Sequence, residues 1–75
     1  MCRNIKVLYN VDPPVADREI QASALQYVRK ISGYTKPSAV NEVAFDRAVD
    51  EVAAVSRALL DELVTQAPAR KRVLT

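Results

Sequence analysis

Apolar side chains recur at steps of three and four residues between Asp17 and Ser32, and this spacing predicts an amphipathic helix. The apolar positions of this stretch are Ile20, Ala24, Tyr27, Val28 and Ile31, with Leu25 at their flank. Acidic residues stand near its start and basic residues near its end, as the helix dipole favours. Gly33 follows at the position where a left-handed cap commonly ends a helix. The sequence therefore predicts a first helix from about Asp17 to about Ser32.

A second, longer helix is predicted after the loop at residues 33–37. Pro37 excludes continuation of the first helix, and Ser38 or Asn41 can cap the next one. No Gly or Pro interrupts the chain from there to about Val64. The predicted inner face of this helix consists of Phe45, Val49, Val52, Ser56, Leu59 and Leu63. Because the steps alternate between four and three residues, they match the a and d positions of a heptad repeat.

The opening eleven residues fit two patterns. Ile5, Leu8 and Tyr9 lie at helical spacing. The alternation of apolar residues through Val7 and Val11 is equally typical of a strand. We favour a short helix, because nothing else in the chain has the pattern of a partner strand.

These predictions combine into an all-α domain over residues 1–65. It is a small three-helix domain, with a short N-terminal helix followed by an antiparallel helical hairpin whose second helix is long. Residues 66–75 lose the apolar periodicity and contain Arg70, Lys71 and Arg72. We therefore expect them to form a mobile basic C-terminal tail.

The composition excludes several classes of site. The 75 residues include no His, no Trp, one Cys and one Gly. Zinc fingers, His-based catalytic triads, internal disulfides and Gly-rich phosphate loops are therefore excluded. Since no complete catalytic constellation remains, we expect a protein that is not an enzyme and has no cofactor or metal.

Charge and hydropathy point to a folded protein of the cytoplasm. Hydrophobic residues make up 49% and charged residues 27%, which is too apolar for global disorder. No stretch approaches the roughly 18 apolar residues of a membrane span, so we expect no membrane partner. A lone thiol and the lack of an export signal indicate the reducing cytoplasm. The net charge of +2 is too small to identify nucleic acid as a partner.

The long helix offers the first candidate site, because a first helix of 16 residues cannot cover its whole apolar face. The expected interaction face consists of Val52, Val55, Leu59, Leu60 and Leu63. An apolar patch of this kind usually marks an interaction surface, so the expected partner is a second copy of the chain or another protein. Alternatively, the N-terminal segment folds over the far end of the helix and completes the core.

The loop between the helices offers the second candidate site. Cations alternate there with hydroxyl and aromatic groups at Arg29, Lys30, Tyr34 and Lys36. Such a set suits contact with nucleic acid, and the basic tail would add to it. A solvated basic rim at a helix C-terminus is the alternative.

Cys2 beside Arg3 is a third candidate. A neighbouring cation lowers the pKa of a thiol and can make it reactive. The alternative is a small apolar anchor for the N-terminus.

Several segments together resemble one known family. These are Met1-Cys2-Arg3-Asn4-Ile5-Lys6, Pro13-Pro14, the run from Ala24 to Gly33, Lys36-Pro37-Ser38, and Asn41-Glu42 before Ala44-Phe45. Over about residues 1–65 the chain resembles a family of small uncharacterised bacterial proteins that begin Met-Cys-Arg-Asn-Ile-Lys, a domain of unknown function. The resemblance implies a bacterial cytoplasmic protein and implies no reaction, ligand or site. The family often has Ser or Thr where this chain has Ala16, completing a capping box with Glu19; here Asp17 is expected to act as the cap instead.

Overall fold

Two helices and one pair of very short strands make up the regular structure of the chain. The computed structural model describes residues 5–73. Their order is β1 (Val11–Asp12), α1 (Asp17–Ser32), a turn of 3-10 helix (Ala39–Asn41), α2 (Glu42–Glu62) and β2 (Arg70–Lys71). The described chain is mostly helical, which agrees broadly with the all-α prediction.

The first helix has the predicted bounds. Gly33 adopts a left-handed conformation with φ of 79°, and its N–H donates to the carbonyl oxygen of Arg29 at 2.9 Å. Gly without a Cβ reaches this conformation at little cost, so the helix ends here. At the other end Ala16 is the N-cap residue, and its N–H donates to the carboxylate of Glu19 at 2.9 Å. The expectation that Asp17 would cap the helix is wrong, because Asp17 is already the first helical residue.

The second helix begins where the sequence predicts and ends slightly earlier. A 3-10 turn leads into α2 from the N-cap residue Ser38, and Asn41 is the N-cap residue of α2 itself. Neither side chain accepts a capping hydrogen bond; instead, the Asn41 amide donates to the Ser38 hydroxyl at 3.0 Å. The helix ends at Glu62, and Leu63 is already extended.

The two helices form the predicted antiparallel hairpin. The start of α1 meets the end of α2 through Asp17 and Arg57, whose Oδ1 and Nη2 atoms are 2.7 Å apart. The buried core between the helices consists of Ala24, Val28, Phe45 and Val49, with Leu25, Ala48, Val52 and Ala53 packed against it. Ile20 is also buried. The core therefore lies in the half of the hairpin nearer the connecting loop.

The predicted heptad face of α2 is buried only in part. Phe45 and Val49 are buried, whereas Leu59 is 56% and Leu63 44% exposed. A straight helix has 3.6 residues per turn and drifts about 20° per heptad away from a 3.5-residue repeat. By the third heptad the drift has turned Leu59 outward, and Leu60 is half-buried in its place.

The predicted N-terminal helix is wrong, and no three-helix domain forms within residues 5–73. Residues 5–8 have no regular secondary structure, and the chain bends at residues 9–10. Val11 and Asp12 then pair in parallel with Arg70 and Lys71. The sequence favours a helix here because it shows no partner strand, and the partner is supplied by residues 70–71.

Asn10 and Arg72 hold the last described residues against the first. Asn10 has a φ of 54°, and its amide nitrogen donates to the carbonyl oxygens of Ala67 and Pro68 at 3.2 and 3.3 Å. The N–H groups of Arg70 and Arg72 donate to the carbonyl oxygens of Asn10 and Asp12, both at 2.9 Å. Sequence analysis missed these contacts when it assigned residues 66–75 to a tail. The mobility of that tail and the domain boundary at residue 65 stay predictions.

Candidate interaction surfaces

Side chains that flank the buried stripe of α1 differ between its two sides. At 3.6 residues per turn, Gln21 and Leu25 lie on one side and Tyr27 lies on the other, whereas Ile31 is in line with the buried residues of the stripe. The amide of Gln21 donates to the Asp50 carboxylate of α2 at 3.1 Å, so the first side faces polar partners. Tyr27 is 44% and Ile31 66% exposed.

Polar and apolar side chains are divided in the same way between the two sides of the buried stripe of α2. Asp50 and Arg57 lie on one side of its buried stripe, whereas Val55 and Leu59 lie on the other. Since Gln21 of α1 donates to Asp50, and Arg57 donates to Asp17 of α1, the opposite sides of both helices must share one surface of the hairpin. We call this surface the apolar face; it consists of Tyr27 from α1 and Val55 and Leu59 from α2.

The five residues of the predicted interaction face do not lie on one surface. Val55, Leu59 and Leu63 are exposed, and Val52 is half-buried between the helices. Leu60 lies elsewhere, in a groove of about 200 Å³ that it lines together with Leu8. The N-terminal segment therefore lies near the far end of α2, but within residues 5–73 it does not add the third helix that the alternative interpretation expects in the core.

Tyr27 and Ile31 belong to the apolar stripe that predicts α1, yet their exposed fractions are 44% and 66%. Tyr27 lies at the edge of the apolar arc of α1, whereas Ile31 lies in the last turn of the helix, past the buried core. A two-helix hairpin buries only the centre of each arc, and no third helix covers the edges within the described chain.

The whole chain exposes more surface than a compact protein of its size. Its accessible surface is 6010 Å², whereas a compact monomer of this mass exposes about 4,600 Å². Its radius of gyration is 14.0 Å, compared with about 11 Å for a compact domain of 75 residues. The excess of about 1,400 Å² is larger than the roughly 800 Å² that each partner buries in a standard protein interface.

We call Arg29, Lys30, Tyr34 and Lys36, at the loop between the helices, the basic turn. Local hydrogen bonds hold this turn in place. Nε of Arg29 donates to the carbonyl oxygen of Thr35 at 2.9 Å, and the Asn41 amide donates to the Tyr34 hydroxyl at 3.3 Å. Lys30 and Lys36 are exposed. Arg29, Lys30 and Tyr34 line one open groove of about 640 Å³, and Lys36 lines a neighbouring one with Arg29. The four predicted residues thus lie together at one end of the hairpin.

The basic tail lies at the opposite end. Arg72 contacts the first turn of α1, whereas Arg29 belongs to its last turn, and a helix of 16 residues is about 24 Å long. The turn and the described part of the tail therefore do not form one basic surface.

Arg72 makes the densest set of polar contacts in the described chain. Its Nη1 and Nη2 atoms donate to the two carboxylate oxygens of Glu19 at 2.6 and 3.1 Å. Its Nε and Nη2 atoms also donate to the carbonyl oxygens of Pro13 and Pro14 at 2.8 and 3.1 Å. The hydrogen bonds from Arg72, supported by that from the Ala16 N–H, lower the pKa of Glu19 from its usual 4.5 to about 2. Sequence analysis had no signal for this pair beyond opposite charges 53 residues apart.

Two acidic residues of α2 have partners in the described chain: Asp50 accepts a hydrogen bond from Gln21, and Asp61 pairs with Arg57. Arg57 bridges Asp17 at 2.7 Å and Asp61 at 3.2 Å, and these two carboxylates raise its pKa. Within residues 5–73 no three potential metal ligands among His, Cys, Asp and Glu come together. The candidate thiol Cys2 lies outside the described residues.

A comparison with models of known protein families identifies the family of this chain. A family model described as "Uncharacterized conserved protein (DUF2277)" matches residues 1–75. The chain belongs to this family. The match confirms the resemblance noted in the sequence and extends it over residues 66–75, so the DUF2277 region includes β2 and Arg72. No function is known for the DUF2277 family, and no curated protein or solved structure matches the chain.

Neither α1 nor α2, the helices of residues 5–73, is long and apolar enough to cross a membrane.

Proposed function

We propose that the chain is a non-enzymatic interaction module of the cytoplasm that self-associates through the apolar face. The observation that supports this most strongly is the excess accessible surface of about 1,400 Å². Exposed apolar side chains of both helices, Tyr27 in α1 and Val55 and Leu59 in α2, contribute to it. A second copy of the hairpin that covers the apolar face would bury the surface that a third helix buries in a larger domain.

Pairing of two hairpins gives a four-helix bundle, a stable architecture for helices that each bury one stripe. In a two-fold dimer the same surface is used by both copies and must complement itself. Lys30 borders the apolar face on the α1 side, whereas Glu51 and Glu62 border it on the α2 side. A two-fold arrangement that places α1 of one copy against α2 of the other brings these opposite charges together.

Analytical ultracentrifugation with two matched variants tests this proposal. Val55→Asp places a carboxylate on the apolar face, whereas Val43→Asp places one at a valine of α2 that is 75% exposed and lies away from it. Both variants change the net charge equally. Asp at position 43 lies in the first turn of α2, where a negative charge is favourable. Circular dichroism of both proteins checks that the helices are retained.

We expect the wild type and Val43→Asp to sediment at twice the chain mass of 8.3 kDa at micromolar concentration, and Val55→Asp at 8.3 kDa. A wild type that stays at 8.3 kDa up to hundreds of micromolar would overturn the proposal. Equal dissociation of both variants would also count against it, because the effect would then not depend on the apolar face.

A further inference from the structure

A second surface of unusual composition lies where the N-terminal segment, the first turn of α1 and β2 meet. It is a groove of about 550 Å³ whose charged lining consists of Lys6, Arg18, Glu19, Arg70 and Arg72. We call it the basic groove. Four cations and one carboxylate give it a formal charge of +3, whereas the whole chain carries +2. The rest of the chain therefore has a formal charge of −1.

The cations of the basic groove fall into two groups. Arg72 is fully engaged with Glu19 and with backbone carbonyl oxygens. The side chains of Lys6, Arg18 and Arg70 have no ion pair or hydrogen bond with any residue in the 5–73 range. Three cations from three separate segments, none of them paired within residues 5–73, thus surround a groove in which Glu19, the one carboxylate among the described lining residues, is already paired with Arg72.

We propose that the basic groove binds the diphosphate group of a small organic ligand. A single phosphate monoester carries about −1.5 to −2 at neutral pH, so one such group leaves part of the +3 uncompensated. Two linked phosphates match the charge more closely and can reach cations on different segments. Arg and Lys are the side chains that recognise phosphate oxygens, Arg through paired donors and Lys through a point charge.

The size and the remaining lining of the groove fit a ligand that also has a carbon-bearing part. Val7, Val11 and Val73 supply apolar surface beside the cations. A volume of about 550 Å³ falls within the range of roughly 300–1,000 Å³ that is usual for small-molecule sites. The inference does not depend on self-association, because it rests on different residues from the apolar face.

Isothermal titration calorimetry of the full chain with inorganic pyrophosphate and with ADP tests the proposal. The variant Arg18→Gln/Arg70→Gln removes two free cations of the groove. The control Lys36→Gln/Arg47→Gln removes two exposed cations elsewhere, so both proteins lose the same charge. A short single-stranded oligonucleotide is titrated in parallel, and thermal unfolding checks that each variant is folded.

We expect saturable binding of both diphosphates, at least about tenfold weaker in the groove variant and within about twofold of wild type in the control. Tighter binding of ADP than of pyrophosphate would identify an organic diphosphate as the ligand class, and equal binding would identify free diphosphate. No saturable binding at millimolar concentration would overturn the proposal. Equal losses in both variants would do so too, because they indicate unspecific attraction. Binding of the oligonucleotide alone would replace the proposal with a nucleic-acid surface.

Discussion

The contact between Arg72 and Glu19 leads to a prediction about the pKa of the Glu19 carboxyl group, which can be measured directly. Substitution of Arg72 by Met keeps an unbranched apolar stem of similar length and removes the guanidinium. Glu19 then loses both hydrogen bonds from the guanidinium, which are the largest cause of its lowered pKa. It keeps the hydrogen bond from the Ala16 N–H, which is the second cause.

The expected size of the effect follows from these contacts. In the wild type the pKa of Glu19 is lowered from 4.5 to about 2, which corresponds to a proton affinity a few hundred-fold weaker. In Arg72→Met the pKa should rise well above 2 and still stay below 4.5, because the Ala16 N–H continues to stabilise the carboxylate. Arg70→Met is the matched control, since the Arg70 side chain makes no ion pair with Glu19.

The pH dependence of stability follows from the same contact. A carboxylate with a lowered pKa in the folded state favours folding at pH values above its unfolded pKa of about 4.5. That contribution is lost as the pH falls from about 4.5 through about 2. In the same acidic range the last strand should detach, and the Arg70 and Arg72 amides, which donate to Asn10 and Asp12, should lose protection from hydrogen exchange.

Carbon-detected NMR titration of the Glu19 side-chain carboxyl in the three proteins measures this directly. The reasoning is refuted if Glu19 of the wild type titrates near 4.5, since the guanidinium would then not be bound in solution. It is also refuted if Arg70→Met shifts the titration as far as Arg72→Met does, because general positive charge would then account for the effect.

Two further predictions concern the helical hairpin. Phe45→Ala removes the largest side chain of the buried core and should lower the free energy of unfolding by about 3–5 kcal/mol, measured as a lower urea midpoint; a change below about 1 kcal/mol would show that Phe45 is not packed as described. Gly33→Ala forces an L side chain into a conformation with φ of 79°, although nothing lies within 4 Å of the added Cβ. It should cost about 1–2 kcal/mol in thermal unfolding, and an unchanged midpoint would contradict the left-handed cap.

The parts of the fold that depend on neighbouring residues could be predicted from the sequence. The bounds of α1 follow from a helical apolar period, a first turn with acidic residues and Gly33, and all of these signals lie within 17 residues. The beginning of α2 follows in the same way from Pro37 and Ser38. Its burial could not be read from the heptad spacing, because α2 packs against only one helix, and Leu59 turns away from it.

The strand pair could not be predicted, because nothing local identifies it. Each strand has two residues, and Val11 pairs with Arg70, whose neighbours Ala69 and Lys71 show no strand alternation. The contact that Arg72 makes with Glu19 could not be predicted for the same reason. A run of three basic residues looks like a solvated tail until the position of Glu19 is known, and that position depends on the tertiary structure.

The pairing of residue 11 with residue 70 also constrains the order in which the molecule can assemble. Closing a loop of about 60 residues in an unfolded chain costs about 3–4 kcal/mol of entropy, which two strands of two residues cannot offset early in folding. Once the antiparallel hairpin has formed, the segments before α1 and after α2 already start from the same end of it, and only short loops remain to be closed. The helices must therefore assemble first, and the terminal strands join last. On the ribosome Glu19 has to wait for Arg72, which is synthesised 53 residues later.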